Sequence, residues 1–521
     1  MVRIFFMKWG HDAKGPTMTK RVDILEQLQC MVNTETPTPL KVVNSMLDLI
    51  PESVWLDDNA KILCPACKDG IFLREAVVRI LRAKFKQLPD DKNAVYDFTM
   101  RQEGILHQIL KERIFGIAVS YRGYRVTKRT LYTCNPAFAD IDNIFFDESL
   151  GEYVTDKSGA QIEKQCFHFI KDTQAVADFF AKKGVENMKF DVIIGNPPYQ
   201  TNDGGAGASA SPIYNNFVEQ AKLLNPQYLS MIIPSRWFSG GKGLDSFRND
   251  MLTDKKLCKL VDFFDATDCF PGVDISGGVC YFLCDNNTNN SCEITSIRNG
   301  LTSKITRPLL EYGSDTFVRF NEAMSIVEKV KKFNEESFET LVSSRKPFGL
   351  ATKLKLKPKA TKDDIEIYAY PTNGFIPRSE IQVNEEWIDK YKVLMGKAYG
   401  ERGSFPYWVL GKPKIAAPGT CCSETYLVVG PSNSHTETCN IAQYIQTRFF
   451  RFLVLLKKNT LNAPRGVYQF VPIQNFNEEW TDEKLYQKYN LTTDEIAFIE
   501  SMVKPMDKDT VLSDNIDTDD E

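Results

Sequence analysis

The stretch that most constrains this chain is Asp191-Val192-Ile193-Ile194-Gly195-Asn196-Pro197-Pro198-Tyr199. A short β-branched run closed by glycine reads as a buried central strand of a parallel sheet, ending at its carboxyl edge. Open α/β sheets bind their ligands at that edge. The residues that follow suit chemistry on an exocyclic amino group whose lone pair is delocalised into a ring. If the Asn196 side-chain oxygen and the Pro197 carbonyl both accept hydrogen bonds from its N–H groups, such a nitrogen is drawn toward a tetrahedral, more nucleophilic state. Two successive prolines fix φ and hold the acceptors still. Tyr199 offers a flat face for stacking, worth roughly 1–3 kcal/mol per base.

Around this stretch, strands and helices alternate. Leu40, Val43, Met46, Leu47 and Ile50 carry the three-and-four spacing of an amphipathic helix, opened by Thr38-Pro39 and stopped by Pro51. Lys61-Ile62-Leu63 then leads into Cys64-Pro65-Ala66-Cys67-Lys68-Asp69-Gly70-Ile71-Phe72, read as a strand, a tight loop and a helix start. Such a loop lets backbone N–H groups approach a ligand closely. Ile114–Val119, Leu229–Pro234, Leu260–Phe264 and Gly278–Leu283 are further strands, and Pro212–Leu224 is a helix. The pattern predicts an α/β fold with a doubly wound, mostly parallel sheet. Thr201–Ser211 reads as a mobile loop, and Leu131–Lys189 as a polar insertion of unassigned role.

Taken in order, Thr38-Pro39, the Pro-Ala-Cys-x-x-Gly-x-Phe-Leu run from Pro65 to Leu73 and Asn196-Pro197-Pro198-Tyr199 resemble the gamma-class adenine-N6 DNA methyltransferases of bacterial restriction-modification systems. The likeness spans about Thr34 to Leu283. It implies a Rossmann-like sheet, S-adenosylmethionine as methyl donor, double-stranded DNA as substrate, and a restriction endonuclease as a possible separate partner chain. It also implies roles. Thr38 and Pro39 would lie over the methionine part of the cofactor, Pro65, Ala66, Lys68 and Gly70 would form its loop, and Phe72 would pack nearby. Asn196, Pro197, Pro198 and Tyr199 would be catalytic, and Trp237 and Phe238 would line the target-base pocket. Two departures stand out. Cys64 and Lys68 replace the usual leading acid and first glycine of the loop. Ala118 and Ser120 stand where a ribose-binding carboxylate is usual, and each missing buried hydrogen bond costs about 1–3 kcal/mol.

Charge places the DNA contacts. The net charge of −4 hides an uneven distribution, since residues 331–470 hold 21 Lys+Arg against 13 Asp+Glu, whereas residues 471–521 hold 4 against 14. The basic, aromatic-rich segment reads as a mixed α+β target-recognition domain, with Lys353, Lys355 and Lys357 as phosphate contacts. Arg448 and Arg451, on a helix read over Ile441–Leu456, with Lys457 and Lys458 just beyond it, are a second set, and Arg378, Arg402 and Arg465 are candidates for reading bases. The expected divisions are an extension to residue 30, a methyltransferase domain over 31–300, target recognition over 301–475, helices over 476–505 and an acidic tail. Thirteen scattered cysteines suggest reduced thiols, and no signal peptide or membrane span is read, so a cytoplasmic location is expected. The Cys64–Cys67 spacing is zinc-like, with Cys166 and His168 the nearest further ligands, yet no metal is assigned. Two other functions share the motif or the fold: methylation of RNA or a glutamine side chain, and DNA binding by a catalytically decayed enzyme.

Overall fold

The computed structural model describes residues 37–85, 103–146, 189–200 and 211–506, except 242, 274, 276, 289–290, 299, 311–315, 401–404 and 459–460, together with two short strands within 153–163. The readings made for the N-terminal extension, the body of the polar insertion, the loop 201–210 and the acidic tail therefore lie outside the described residues. The chain divides into two compact units, Met1–Leu309 and Leu310–Glu521.

The first unit is built on β1 (Ile62–Cys67), β2 (Ile114–Ala118), β3 (Ile144–Phe145), β6 (Val192–Gly195), β7 (Tyr228–Pro234), β8 (Leu257–Phe263), β9 (Val279–Asp285), β10 (Cys292–Arg298) and β11 (Leu301–Arg307). Strands β4 (Tyr153–Thr155) and β5 (Gln161–Glu163) form a separate antiparallel pair. The nine-stranded sheet runs β11-β10-β8-β9-β7-β6-β1-β2-β3. From β3 to β7 all neighbours are parallel, and β9 is inserted antiparallel between β7 and β8. The chain steps outward from β1 to β3, then returns to lay β6 on the other side of β1. That reversal makes the carboxyl ends of β1 and β6 the natural ligand crevice.

The central strands are apolar along their whole length because both faces are covered. Every residue of β1, β2 and β6 is buried. The helix Leu40–Leu47 contributes Val43, Met46 and Leu47 to the core, and the helix Ile71–Lys84 contributes Leu73, Ala76, Val77 and Ile80. Asp191 locks the start of β6 to β1, its carboxylate accepting from the Lys61 N–H at 2.8 Å while its own N–H donates to the Lys61 carbonyl at 2.9 Å.

The sheet continues past residue 300. Strands β10 and β11 form an antiparallel hairpin on its edge, so the first unit extends beyond the boundary read at 300. The hairpin escaped the sequence reading because β11 is mostly exposed and has no hydrophobic alternation. In the second unit, β12 (Asp364–Tyr368), β13 (Gly374–Pro377) and β16 (Thr420–Cys422) form one sheet, and β14 (Tyr391–Gly396), β15 (Lys414–Ala416) and β17 (Tyr426–Ser432) another. The single helix read over Ile441–Leu456 is two, His435–Gln446 and Arg448–Leu455. Thr447 breaks it with an extended backbone (ψ 148°), and its hydroxyl caps the second helix by accepting from the Phe450 N–H at 3.1 Å. The capping-box order at Thr492–Glu495 is realised in full.

One buried cation organises the approach to β1. Arg113 is 2% exposed and donates to the carbonyls of Ala60 and Val54, both at 3.0 Å, and its own carbonyl accepts from the Ile62 N–H at 2.8 Å. Arg113→Met is expected to lower stability by about 2–4 kcal/mol, because it strips partners from buried carbonyls. Urea unfolding measures this, and a drop below about 1 kcal/mol would contradict it.

Candidate active site

Strand β1 runs through Cys67, so Pro65 and Ala66 are buried strand residues and the loop itself is only Lys68-Asp69-Gly70. This corrects the longer loop read from the sequence. The proline is tolerated because the pairing of β1 with β6 ends at Leu63 and its register with β2 slips between Cys64 and Cys67. Gly70 precedes the helix Ile71–Lys84 with φ +76°, a left-handed conformation that favours glycine. Asp69 Oδ1 accepts from the Ile71 N–H at 3.1 Å, whereas Oδ2 is enclosed and has no hydrogen-bond partner among the described residues. Burial pushes the Asp69 carboxyl above its usual range.

The loop is backed by the helix Tyr121–Tyr132. Ser120 caps that helix, its hydroxyl accepting from the Gly123 N–H at 3.1 Å. A Cβ at Gly123 would stand 3.0 Å from the Cys67 carbonyl oxygen and 3.3 Å from that of Lys68, so the absence of a side chain lets the helix approach the loop.

Across the crevice, Asn196 directly follows β6 and is 2% exposed. Its Nδ2 donates to Thr38 Oγ1 at 3.0 Å, joining side chains 158 residues apart. With the nitrogen engaged by Thr38, the oxygen is the amide's acceptor end. Thr38, Ala66, Lys68, Asp69, Gly70, Phe72 and Asn196 line one crevice. Pro39 and Pro65 do not line it; Pro39 instead precedes the first turn of the helix Leu40–Leu47. Pro197 and Pro198 are buried. Tyr199 is half-buried, with its ring edge-on to Tyr214 at 6.5 Å and its hydroxyl enclosed without a partner among the described residues. That enclosure pushes the phenol well above its usual range. A Gln200–Pro212 bridge, with the Ile213 N–H donating to the Tyr199 carbonyl at 3.2 Å, pairs the two backbone stretches next to Tyr199.

Other expected site residues are placed differently. Trp237 and Phe238 are both 0% exposed. Their rings lie 4.5 Å apart, Trp237 packs edge-on to Phe247, and its Nε1 donates to Cys280 Sγ at 3.4 Å, so core packing accounts for both. Lys353 and Lys355 are exposed while Leu354 and Leu356 pack onto the second unit's core, an alternation that turns the lysines to solvent. Lys357 departs from it, its Nζ lying 3.0 Å from both Asp364 oxygens. Arg378 pairs with Glu385 and, through two hydrogen bonds, with Asp389. Arg451 is fully buried and donates to the carbonyls of Gln446, Trp408 and Lys504, Arg448 pairs with Glu500, and Lys457 and Lys458 bond Gln469 and the Tyr399 carbonyl. Arg465 donates to the Glu339 carbonyl at 3.0 Å, and Arg402 lies outside the described residues. Cys64 and Cys67 are buried in β1, and the Cys67 thiol donates to the Cys64 carbonyl at 3.3 Å. Among the described residues no group of three potential metal ligands occurs, and no helix is long and apolar enough to cross a membrane.

The sequence is similar, at 31% identity over 307 residues, to a Mycoplasma pneumoniae protein named as an uncharacterized adenine-specific methylase, covering 51% of this chain and 70% of that one. The chain belongs to the adenine-specific methylase family. Residues 112–270 of the methylase also match the family model of the Eco57I restriction-modification methylase. Among solved structures, it is similar to a modification subunit of a putative type I restriction enzyme from Vibrio vulnificus YJ016 (14% identity, TM-score 0.33, 56% of this chain and 51% of that one). A second is the type IIL restriction-modification enzyme MmeI in complex with DNA (12% identity, TM-score 0.42, 86% and 65%). The methylase thus spans about half the length of the first of these structures.

The Tyr199 environment generates a prediction. Removing an enclosed hydroxyl that lacks a partner among the described residues relieves a desolvation cost, so Tyr199→Phe is expected to leave stability unchanged or raise it by about 1 kcal/mol. Denaturant unfolding tests this, and a clear drop in stability would reveal a partner for the hydroxyl.

Proposed function

We propose that this methylase transfers a methyl group from S-adenosylmethionine to N6 of an adenine turned out of double-stranded DNA, as the modification activity of a restriction-modification system. The observation that carries the reading is Asn196 standing at the end of β6, on the same crevice as the β1 loop, with its amide nitrogen held by Thr38. The crevice residues fit the methionine end of such a cofactor. Asp69 Oδ2, enclosed and without a hydrogen bond among the described residues, offers an anion to a positively charged ligand, and Phe72 and Ala66 offer apolar surface. Toward the ribose, the end of β2 offers Ser120, whose hydroxyl already accepts from Gly123. When bound, the cofactor supplies an activated methyl on a sulfonium.

The chain's own work is then positioning rather than acid–base chemistry. Asn196 accepts from the exocyclic amine through its oxygen, and the Pro197 carbonyl accepts the second N–H. Thr38 keeps the amide from rotating, so the acceptor end stays toward the substrate. Turning the base out of the duplex costs a few kcal/mol, which stacking on Tyr199 and these two hydrogen bonds offset. A base without an exocyclic amine cannot make either bond. The second unit, with exposed Lys353 and Lys355, serves target recognition in this reading, and a restriction endonuclease would be a separate partner.

The deciding experiment follows labelled methyl groups from the cofactor into DNA, RNA and protein. Methyl-adenine in DNA alone supports the proposal, and label in RNA or a glutamine side chain would overturn it. Asn196→Ala is expected to cut methyl transfer by about 100-fold or more while changing cofactor affinity less than about threefold. Thr38→Val, which removes the acceptor for Asn196 Nδ2, should lower transfer by roughly 10-fold or more, and Thr38→Ser should keep it. Neutralising Lys353 and Lys355 together should weaken cognate and non-cognate duplexes alike. It should also flatten the salt dependence by roughly 0.9 in log–log slope for each phosphate no longer neutralised by a lysine. An unchanged slope would put the phosphate-binding side chains elsewhere.

A further inference from the structure

We propose that Asp69 is the residue that grips the α-ammonium at the amino-acid end of the cofactor, a role that rests on the reading above and deepens it. Asp69 lines the same crevice as Asn196 and Thr38, where the methyl-bearing end of the ligand must lie if the Asn196-held amine is to reach it. One carboxylate oxygen is spent on the Ile71 N–H at 3.1 Å, which fixes the side chain over the crevice. The other is enclosed and has no hydrogen-bond partner among the described residues.

An enclosed carboxylate oxygen without a donor is costly, and the cost falls most when the arriving group brings both a proton donor and a positive charge. An ammonium brings both. A ribose hydroxyl would satisfy the oxygen but leave the charge uncompensated, and a sulfonium would compensate the charge without donating. Burial disfavours the ionised form of Asp69, while Arg74 and Lys68 lie near enough to favour it. The Arg74 guanidinium is 2.9 Å from Glu75. Cys64, buried within β1, offers the crevice a thiol rather than a carboxylate. Asp69 is therefore the carboxylate that lines this crevice among the described residues.

The test is calorimetric binding to the full chain and to Asp69→Asn, which keeps an oxygen acceptor for the Ile71 N–H. Three probes are used: S-adenosylhomocysteine, its analogue lacking the α-amino group, and methylthioadenosine, which lacks the whole amino-acid end. The parent is expected to prefer S-adenosylhomocysteine over the des-amino analogue by roughly 10- to 100-fold, the size of one charge-assisted hydrogen bond. In Asp69→Asn that preference should vanish, while methylthioadenosine binds both proteins within about threefold. A parent that binds the des-amino analogue as tightly as S-adenosylhomocysteine overturns the assignment without any variant. So does a variant that weakens all three ligands equally, or one that leaves all three unchanged and weakens only S-adenosylmethionine, titrated as a fourth ligand, since that would assign the carboxylate to the sulfonium. A parent that binds S-adenosylhomocysteine yet fails these comparisons removes the role of Asp69 and leaves the methyl-transfer reading standing. A parent that binds none of the ligands removes both.

Discussion

The site depends on the reversal of strand order between β1 and β6. Parallel neighbours lie roughly 4.8 Å apart, and Ile62 is in register with Val192 and Leu63 with Ile193, so both strands deliver their carboxyl ends to one edge of the sheet. Two groups proposed to act in the reaction stand there: the Lys68–Gly70 loop after β1 and Asn196 after β6. Because each central strand is buried on both faces, the register cannot slip without carrying apolar residues out of the core. The Asp191–Lys61 hydrogen bonds pin the opposite end of the same pair. Rigid strands then hold the loop and the asparagine at fixed separation, as a reaction governed by alignment requires.

A second constraint ties the N-terminal side of the fold to this edge. Thr38 stands just before the helix Leu40–Leu47, whose buried Val43, Met46 and Leu47 fix it in the core. Its hydroxyl can therefore serve as a stationary acceptor for Asn196 Nδ2. Burying a primary amide with one end unmatched is expensive, so this bond stabilises the fold while it selects which end of the amide faces outward. Packing of a helix that touches no substrate thus sets the polarity of the group proposed to accept from one. The same economy operates on the other wall, where Ser120 caps its helix through Gly123 and the bare Cα of Gly123 lets that helix support the loop carbonyls.

Much of this was legible in the residues, and the parts that were not have physical reasons. The continuous apolar runs of β1, β2, β6 and β7 announce buried parallel strands, and the Asn-Pro-Pro-Tyr run after one of them announces a ligand edge. The alternation of Lys353, Leu354, Lys355 and Leu356 likewise survives as outward lysines over inward leucines. What a local pattern could not carry was pairing over long separations. Thr38 reads as a helix opener, and nothing near it in sequence reveals its bond to Asn196. Asp69 sits between Lys68 and Gly70 like any polar loop residue, and its enclosure appears only once the strands converge. Trp237 and Phe238 follow a strand end, as pocket residues would, yet their size makes them efficient core fillers and the fold uses them so. Strand β11 is invisible because an exposed edge strand needs no apolar period.

Counting charges misleads for a related reason. The excess of cations over residues 331–470 suggests a broad phosphate-binding surface, yet many of these side chains already have intramolecular partners. Arg451 satisfies carbonyls from three separate segments, a use that exploits the five donors of a guanidinium, and at 0% exposed it cannot touch a phosphate. Arg378 and Lys357 are matched to carboxylates beside them, which cancels most of their field beyond a Debye length. A cation held in such a pair must break it before meeting a phosphate, so its contribution to binding is a difference between two similar energies. Lys353 and Lys355 differ in being turned to solvent by the leucines between them. The surface available to a polyanion is therefore narrower than composition implies, and Lys353 and Lys355 are among the cations left on it.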